Sequence, residues 1–260
     1  MTKMEKFAQG APAWVDLQSP DQEASKRFYA ELFGWEYQDN PMSPEYVYSM
    51  ASVGGSAVAA IAPQATEAVN AGITTAWNTY FSVDDIEAVV EKVAPAGGRV
   101  LMAADDVEGF GRMALIEDSI GAPLTLWQGK SLTGAELINE PGSFIWHELA
   151  AGNWEHAVPF YIDVLGAEKA EVPMEGGSFT MLRVDGQYVA GFRDQEDENS
   201  TPRWEVYFGI ADTDAGIATA RASGAKLLVE PFDVEGIGRM AMLSDPQGAV
   251  FWILQEPPAE

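Results

Sequence analysis

Residues 13–18 alternate, with Val15 and Leu17 on one face of a strand and Trp14, Asp16 and Gln18 on the other. At Asp21 the period changes. Ala24, Phe28 and Leu32 recur four apart, with Tyr29 and Phe33 widening the apolar stripe. That pattern predicts a helix capped by Asp21 and closed by Gly34. The stripe must cover the Val15/Leu17 face, which leaves Trp14, Asp16 and Gln18 on the open side.

The same passage returns from Trp146, reading WHELAAGNWEHAVPFYIDVLGA, with Asn153 at the capping place. A constant 132 positions separate Trp14 from Trp146, Phe28 from Phe160 and Gly34 from Gly166. Pro159 falls inside the second helix, where it should remove a hydrogen bond and bend the helix. Hairpins follow in both copies. Strands at 46–52 and 57–62 flank Gly54-Gly55, and strands at 179–184 and 188–192 flank Asp185-Gly186, turn pairs suited to positive φ. Residues 63–75 read as a connecting loop.

The pattern then restarts at half length. A strand at 77–83 leads to a helix capped by Asp84 or Asp85 and running to Val93, with strands at 99–102, 112–116 and 122–128. The second copy has a strand at 204–210, a helix over 212–223, and strands at 226–229, 239–243 and 249–254. Trp77, Tyr80, Arg112 and Gly121 map onto Trp204, Tyr207, Arg239 and Gly248 with a shift of 127. The shift shrinks only across loops, where homologous copies normally differ. The expected fold is therefore α+β: four βαβββ modules forming two tandem cups of mixed β-sheet. An N-terminal arm at 1–11, a domain at 12–129, a linker at 130–142 and a domain at 143–257 complete the plan.

Composition narrows the function classes. The 260 residues carry 15 basic and 40 acidic side chains, for a net charge of −25. Such a surface repels nucleic acid and anionic lipid. No apolar run approaches the ~18 residues that cross a bilayer, and residues 1–6 lack the apolar core of a signal peptide. Cysteine is absent, which removes disulfides and thiolate chemistry and fits a cytoplasmic protein. The expected partner is a small organic ligand, bound by a monomer or homodimer.

Two further passages carry a resemblance. The run Asp21…Phe28-Tyr29…Phe33-Gly34-Trp35 and the turn Asp245-Pro246-Gln247-Gly248, with Asp118-Ser119-Ile120-Gly121 as its counterpart, resemble the vicinal oxygen chelate superfamily. That superfamily holds glyoxalase I, bleomycin-resistance proteins and extradiol dioxygenases. The likeness covers nearly the whole chain and is closest in wording to tandem actinobacterial, glyoxalase-like members. It implies a divalent metal held by His and Glu from the first, fifth and last strands of a cup. Here those positions fall on Trp14, Asn78 and Thr125, and on Trp146, Glu205 and Trp252. Only Glu205 is a good ligand, so no metal and no other cofactor is expected. A carboxylate site at Glu148 and Glu205 is the alternative. Of the two histidines, His147 falls on the helix face beside Leu149, and His156 near a helix start.

No nucleophile elbow, Walker loop or dinucleotide fingerprint is present. Gly109-Phe110-Gly111-Arg112 and Gly236-Ile237-Gly238-Arg239 are weak phosphate loops and better strand entries. The concave faces would carry Trp14, Asp16, Asn78, Tyr80, Thr125 and Trp127, and Trp146, Glu148, Glu205, Tyr207 and Trp252. Aromatics with a few acids suit a flat, hydrogen-bonding or partly cationic molecule. Were there catalysis, Glu148 or Glu205 would be its base and Tyr207 a proton donor. The leading expectation is a binding protein that sequesters or senses an aromatic metabolite or antibiotic. A metal-dependent lyase, dioxygenase or hydroxylase is the second reading, and a protein-interaction module the third.

Overall fold

The computed structural model describes residues 4–174, 177–195 and 201–257. In the first module β1 (Pro12–Ser19) precedes α1 (Gln22–Phe33), β2 (Glu36–Ser43), β3 (Tyr46–Val53) and β4 (Ser56–Pro63). A short α2 (Thr66–Asn70) interrupts the expected loop. The second module is β5 (Trp77–Ser82), α3 (Ile86–Val93), β6 (Arg99–Val107), β7 (Gly111–Glu117) and β8 (Pro123–Gly129). The third is β9 (Phe144–Ala150), α4 (Val158–Leu165), β10 (Glu168–Met174), β11 (Gly177–Val184) and β12 (Gln187–Arg193). The fourth is β13 (Arg203–Gly209), α5 (Thr213–Ala222), β14 (Lys226–Val234), β15 (Gly238–Ser244) and β16 (Val250–Gln255).

These strands form two eight-stranded sheets of one topology, β2-β3-β4-β1-β5-β8-β7-β6 and β10-β11-β12-β9-β13-β16-β15-β14. In each, the first and fifth strands run antiparallel at the centre, flanked by parallel pairs. The α+β plan of two tandem cups is therefore the fold.

Local chemistry sets the helix starts. Asp21, Asp85 and Asp212 each accept a hydrogen bond from a backbone N–H three residues on, at 2.9, 3.1 and 2.9 Å. Asn153 makes no such bond. A 3-10 turn at Trp154–His156 comes first, and α4 starts only at Val158. Pro159 thus sits in the first turn of α4, where its missing N–H costs nothing, and does not bend a longer helix.

The two sheets meet through their helical faces. Helix α1 packs on α5, and α3 on α4. Phe208 lies 5.0 Å from Trp77 and 5.2 Å from Phe33, ring centre to ring centre, across the junction. A pair of relays crosses it. Trp77 Nε1 donates to Tyr29 Oη (3.0 Å), which donates to Asp245 Oδ2 (3.1 Å). Trp204 Nε1 donates to Tyr161 Oη (3.0 Å), which donates to Asp118 Oδ2 (2.6 Å). Each Asp also orders its own turn by accepting two backbone N–H bonds. The aspartate turns therefore bind the partner domain's tyrosine, and the cups open away from each other.

Residues 4–11, expected as a loose arm, are docked. Phe7 is buried in the core, and Gly10 N–H donates to Ser82 O at 2.7 Å. Burial of that one ring fixes the segment, and Gly134 leaves room for it: a Cβ there would meet Phe7 Cε2 at 2.6 Å. The connection after β8 is also held down, with Ala135 N–H donating to Ala13 O at 2.8 Å.

Candidate functional site

In the first cup, antiparallel pairing puts Trp14 opposite Tyr80 and Asp16 opposite Asn78 on the face turned from the helices. A cavity of about 220 Å³ opens above them. Its wall includes Trp14, Asp16, Tyr80 and Trp127, four of the six side chains expected there. Asn78 stands behind Asp16, donating to Oδ1 at 2.8 Å, and Thr125 is buried on β8. The rest of the wall comes from Gln18, Met42, Tyr46, Tyr48, Met50, Val107, Phe110, Met113 and Leu132. The alternation Tyr46, Tyr48, Met50 on β3 was readable in the sequence. Phe110 and Leu132 come from connections without periodicity and could not be read.

Asp16 is the polar centre of this cup and is 2% exposed. Tyr80 Oη donates to Oδ2 at 2.6 Å and Tyr48 Oη at 3.1 Å, and Trp14 Nε1 donates to Tyr48 Oη at 2.8 Å. Burial pushes the Asp16 carboxyl above its ordinary range, and the bonds from Tyr80, Asn78 and Tyr48 oppose that shift. All three donors are neutral. Among the described residues no Lys, Arg or His forms an ion pair with Asp16 or lines the cavity.

The second cup brings its five expected residues together and satisfies them internally. Tyr207 Oη donates to Glu148 Oε2 at 2.6 Å, and Trp146 Nε1 to Oε1 at 3.1 Å. Glu205, 2% exposed, accepts from Arg193 Nη2 and Nε at 2.6 and 3.0 Å, from Arg203 Nη2 at 2.5 Å and from Trp252 Nε1 at 2.8 Å. The Arg193 guanidinium carbon lies 5.6 Å over the Trp252 ring, which stacks on Tyr207 with centroids 5.1 Å apart. Glu148 is pushed up by burial, with Tyr207 and Arg193 opposing. Neither arginine was a sequence candidate.

These side chains do not fit a divalent metal. Trp14, Trp146 and Trp252 offer indole N–H donors with no lone pair for a cation, and Asn78 is committed to Asp16. Glu205 is already neutralised by two guanidinium groups. Among the described residues no three His, Asp or Glu side chains converge on one point. His147 lies in the junction between the sheets, with Nδ1 3.4 Å from Thr79 Oγ1. Burial alone lowers its pKa from 6.5 to about 3, so it is neutral. His156 is exposed.

The Gly-x-Gly-Arg repeats are strand entries. A Cβ on Gly111 would meet Trp127 Cζ2 at 2.7 Å, and one on Gly238 would meet Gln255 O at 2.1 Å. Arg112 pairs with Glu87, and Arg239 with Asp214 and Asp233, each at 3.0 Å. Their charges are spent on helix α3 or α5 and the adjoining β14.

Known proteins share the fold that carries this site. A model of the Glyoxalase/Bleomycin resistance protein/Dioxygenase superfamily matches residues 11–125. CFP32 of Mycobacterium tuberculosis (strain CDC 1551 / Oshkosh), provisionally named a glyoxylase, is 44% identical over 262 residues, covering 100% of both chains. The anthracycline biosynthesis protein DnrV of Streptomyces peucetius is 35% identical over 263 residues, covering 97% of this chain and 95% of its own. Among solved structures, a Mn(II)-bound glyoxalase from Novosphingobium aromaticivorans superposes with a TM-score of 0.66 at 15% identity, covering 96% of this chain and 83% of that one. The 2,3-dioxygenase LapB from Pseudomonas sp. KL28 does so with a TM-score of 0.63 at 15% identity, covering 99% and 95%. At that identity the likeness is one of fold.

Proposed function

Given that the chain belongs to the glyoxalase/bleomycin resistance protein/dioxygenase superfamily, we propose that it is a small-molecule-binding member from which the metal site has been lost. Its first cup would hold a flat aromatic metabolite or antibiotic and so sequester or sense it. The observation that carries this reading is the cavity over Asp16, walled by Trp14, Tyr48, Tyr80 and Trp127. Such a site offers broad apolar faces with a few fixed polar groups, as small-molecule sites do. The relative named for anthracycline biosynthesis supports the ligand class, since anthracyclines are fused-ring aromatics.

The test is metal content after purification without chelator, with a thermal-shift titration using Mn, Fe, Ni and Zn. The expected outcome is substoichiometric metal and no dose-dependent rise in melting temperature. One equivalent of metal per chain, or micromolar stabilisation by one ion, would overturn the reading. A metal-dependent lyase or dioxygenase would then take its place.

A further inference from the structure

The duplication provides an internal comparison between the two cups. Asp16 and Glu148 hold equivalent places, opposite Asn78 and Glu205 on the fifth strand of each domain. In the second cup the chain supplies two cations, Arg193 and Arg203, to these acids. The strand registers identify their counterparts. Gly191 pairs with Glu148 as Ala60 pairs with Asp16, so Arg193, two residues on, corresponds to Ala62. Arg203 precedes Glu205 by two, as Ala76 precedes Asn78. Both cations of the second cup are alanines in the first.

The first cup thus holds one acid and, among the described residues, no cation, where the second holds two acids and two cations. Asp16 is buried, takes hydrogen bonds among the described residues only from neutral donors, and faces a cavity of about 220 Å³. A buried carboxylate without a cation is costly, and three neutral donors offset only part of that cost. Around it stand the rings of Trp14, Tyr46, Tyr48, Phe110 and Trp127, whose faces attract cations.

We propose that the first cup binds an organic cation, an ammonium or amidinium group carried on a flat apolar body, with Asp16 as its counter-charge. The second cup already displays the arrangement in covalent form. There a guanidinium sits 5.6 Å over Trp252 while donating to Glu205 at 2.6 Å. The chain's net charge of −25 draws such ligands in from a distance. This inference rests on the ligand-binding reading of the same cup and narrows it.

Calorimetric titration of the full chain with three near-isosteric probes tests it: 1-naphthylmethylamine, 1-naphthylmethanol and 1-naphthoate. The amine should bind at least tenfold tighter than the alcohol, and the acid weakest. In Asp16→Asn the amine should lose that advantage over the alcohol. Ala62→Arg, which installs the second cup's own cation, should abolish amine binding with its melting transition intact. If Asp16→Asn fails to fold, the Ala62→Arg result decides. Equal binding of amine and alcohol would overturn the cation and leave the aromatic-ligand reading standing. So would retention of amine binding by Ala62→Arg or of its advantage by Asp16→Asn. Failure of all three probes to bind also overturns it, and the metal titration then decides whether the ligand-binding reading falls too.

Discussion

Replacing Arg193 by Met tests whether the second cup is held shut by its own cation. The substitution keeps a long apolar stem and removes two charge-assisted hydrogen bonds to Glu205 Oε2, at 3.0 and 2.6 Å. The Glu205 side chain is 1% exposed, so it cannot recover the loss from water, whereas Arg193 keeps 24% of its side chain in solvent. Breaking a buried pair by removing one partner costs about 3–5 kcal/mol. Glu205 would still hold Arg203 and Trp252, so the lower end, about 3 kcal/mol, is expected. For a chain of this size that lowers the melting temperature by roughly 6–12 °C. Glu205→Gln should also destabilise, because it leaves two guanidinium groups facing a neutral amide. The double mutant should be less destabilised than the sum of the singles, with a coupling of about 2 kcal/mol. Calorimetric melts of wild type, both singles and the double would measure it, repeated in 1 M salt. A buried pair is little screened, so the coupling should persist there. A cost of Arg193→Met under about 0.5 kcal/mol, or additivity, would place the pair with ordinary surface ion pairs. The contrast between a cup with its own cations and one without would then lose its energetic basis.

Two further outcomes follow from the junction between the sheets. His147 binds its proton near pH 3 folded and near 6.5 unfolded, so the unfolded chain holds more protons between those values and stability falls as pH drops through them. At pH 5 that amounts to about 2 kcal/mol. The buried acids Asp16, Asp118, Glu148 and Asp245 are shifted upward and act in the opposite sense, so the difference between wild type and His147→Val is the quantity to measure. The variant should gain about 2 kcal/mol relative to wild type between pH 8 and pH 5, and parallel pH profiles would refute the assignment. Tyr29→Phe and Tyr161→Phe each remove a bond to a buried aspartate of the other domain and strand an indole N–H, at an expected cost of about 1.5–3 kcal/mol. Thermal melts of both variants check this, and a loss under 0.5 kcal/mol in either would show that the relay carries no weight at that site.

Repetition made most of the fold legible. The shifts of 132 and 127 aligned the modules, and Asp21, the Asp84-Asp85 pair and Asp212 marked helix starts because a capping side chain acts locally. Strand parity placed Trp14, Asp16 and Tyr80 in the cup and His147 out of it, because both faces of the central strands are committed to different neighbours. The edge strands β2 and β10 left no such mark. Residues of β2 are exposed or half-buried throughout, and Pro41 lies within it, so no burial pressure imposes alternation. Asn153 looked like a cap because its copy, Asp21, is one, but Pro159 fixes the α-helix start at the following turn.

The state of each cup was hidden for a different reason. The acids and aromatics turned into the two cups were assigned from strand parity, but parity does not show what neutralises them. Whether a buried acid is neutralised within the chain depends on a residue outside the central strands or at their ends. Arg193 is the last residue of β12, and it reaches Glu205 only because β12 runs parallel to β9 while β9 runs antiparallel to β13. Its aligned partner is an alanine among five apolar neighbours in β4, which attracts no attention by itself. The informative signal is a difference between copies: Arg for Ala at 193 and 62, Arg for Ala at 203 and 76, Glu for Asn at 205 and 78. The two cations and one anion that the second cup has in addition compensate one another, since buried charge is tolerated only in company. The first cup has Asp16 and, among the described residues, no cation beside it. The two copies therefore differ in a respect that strand parity cannot show: the second cup carries its own cations and the first, among the described residues, does not.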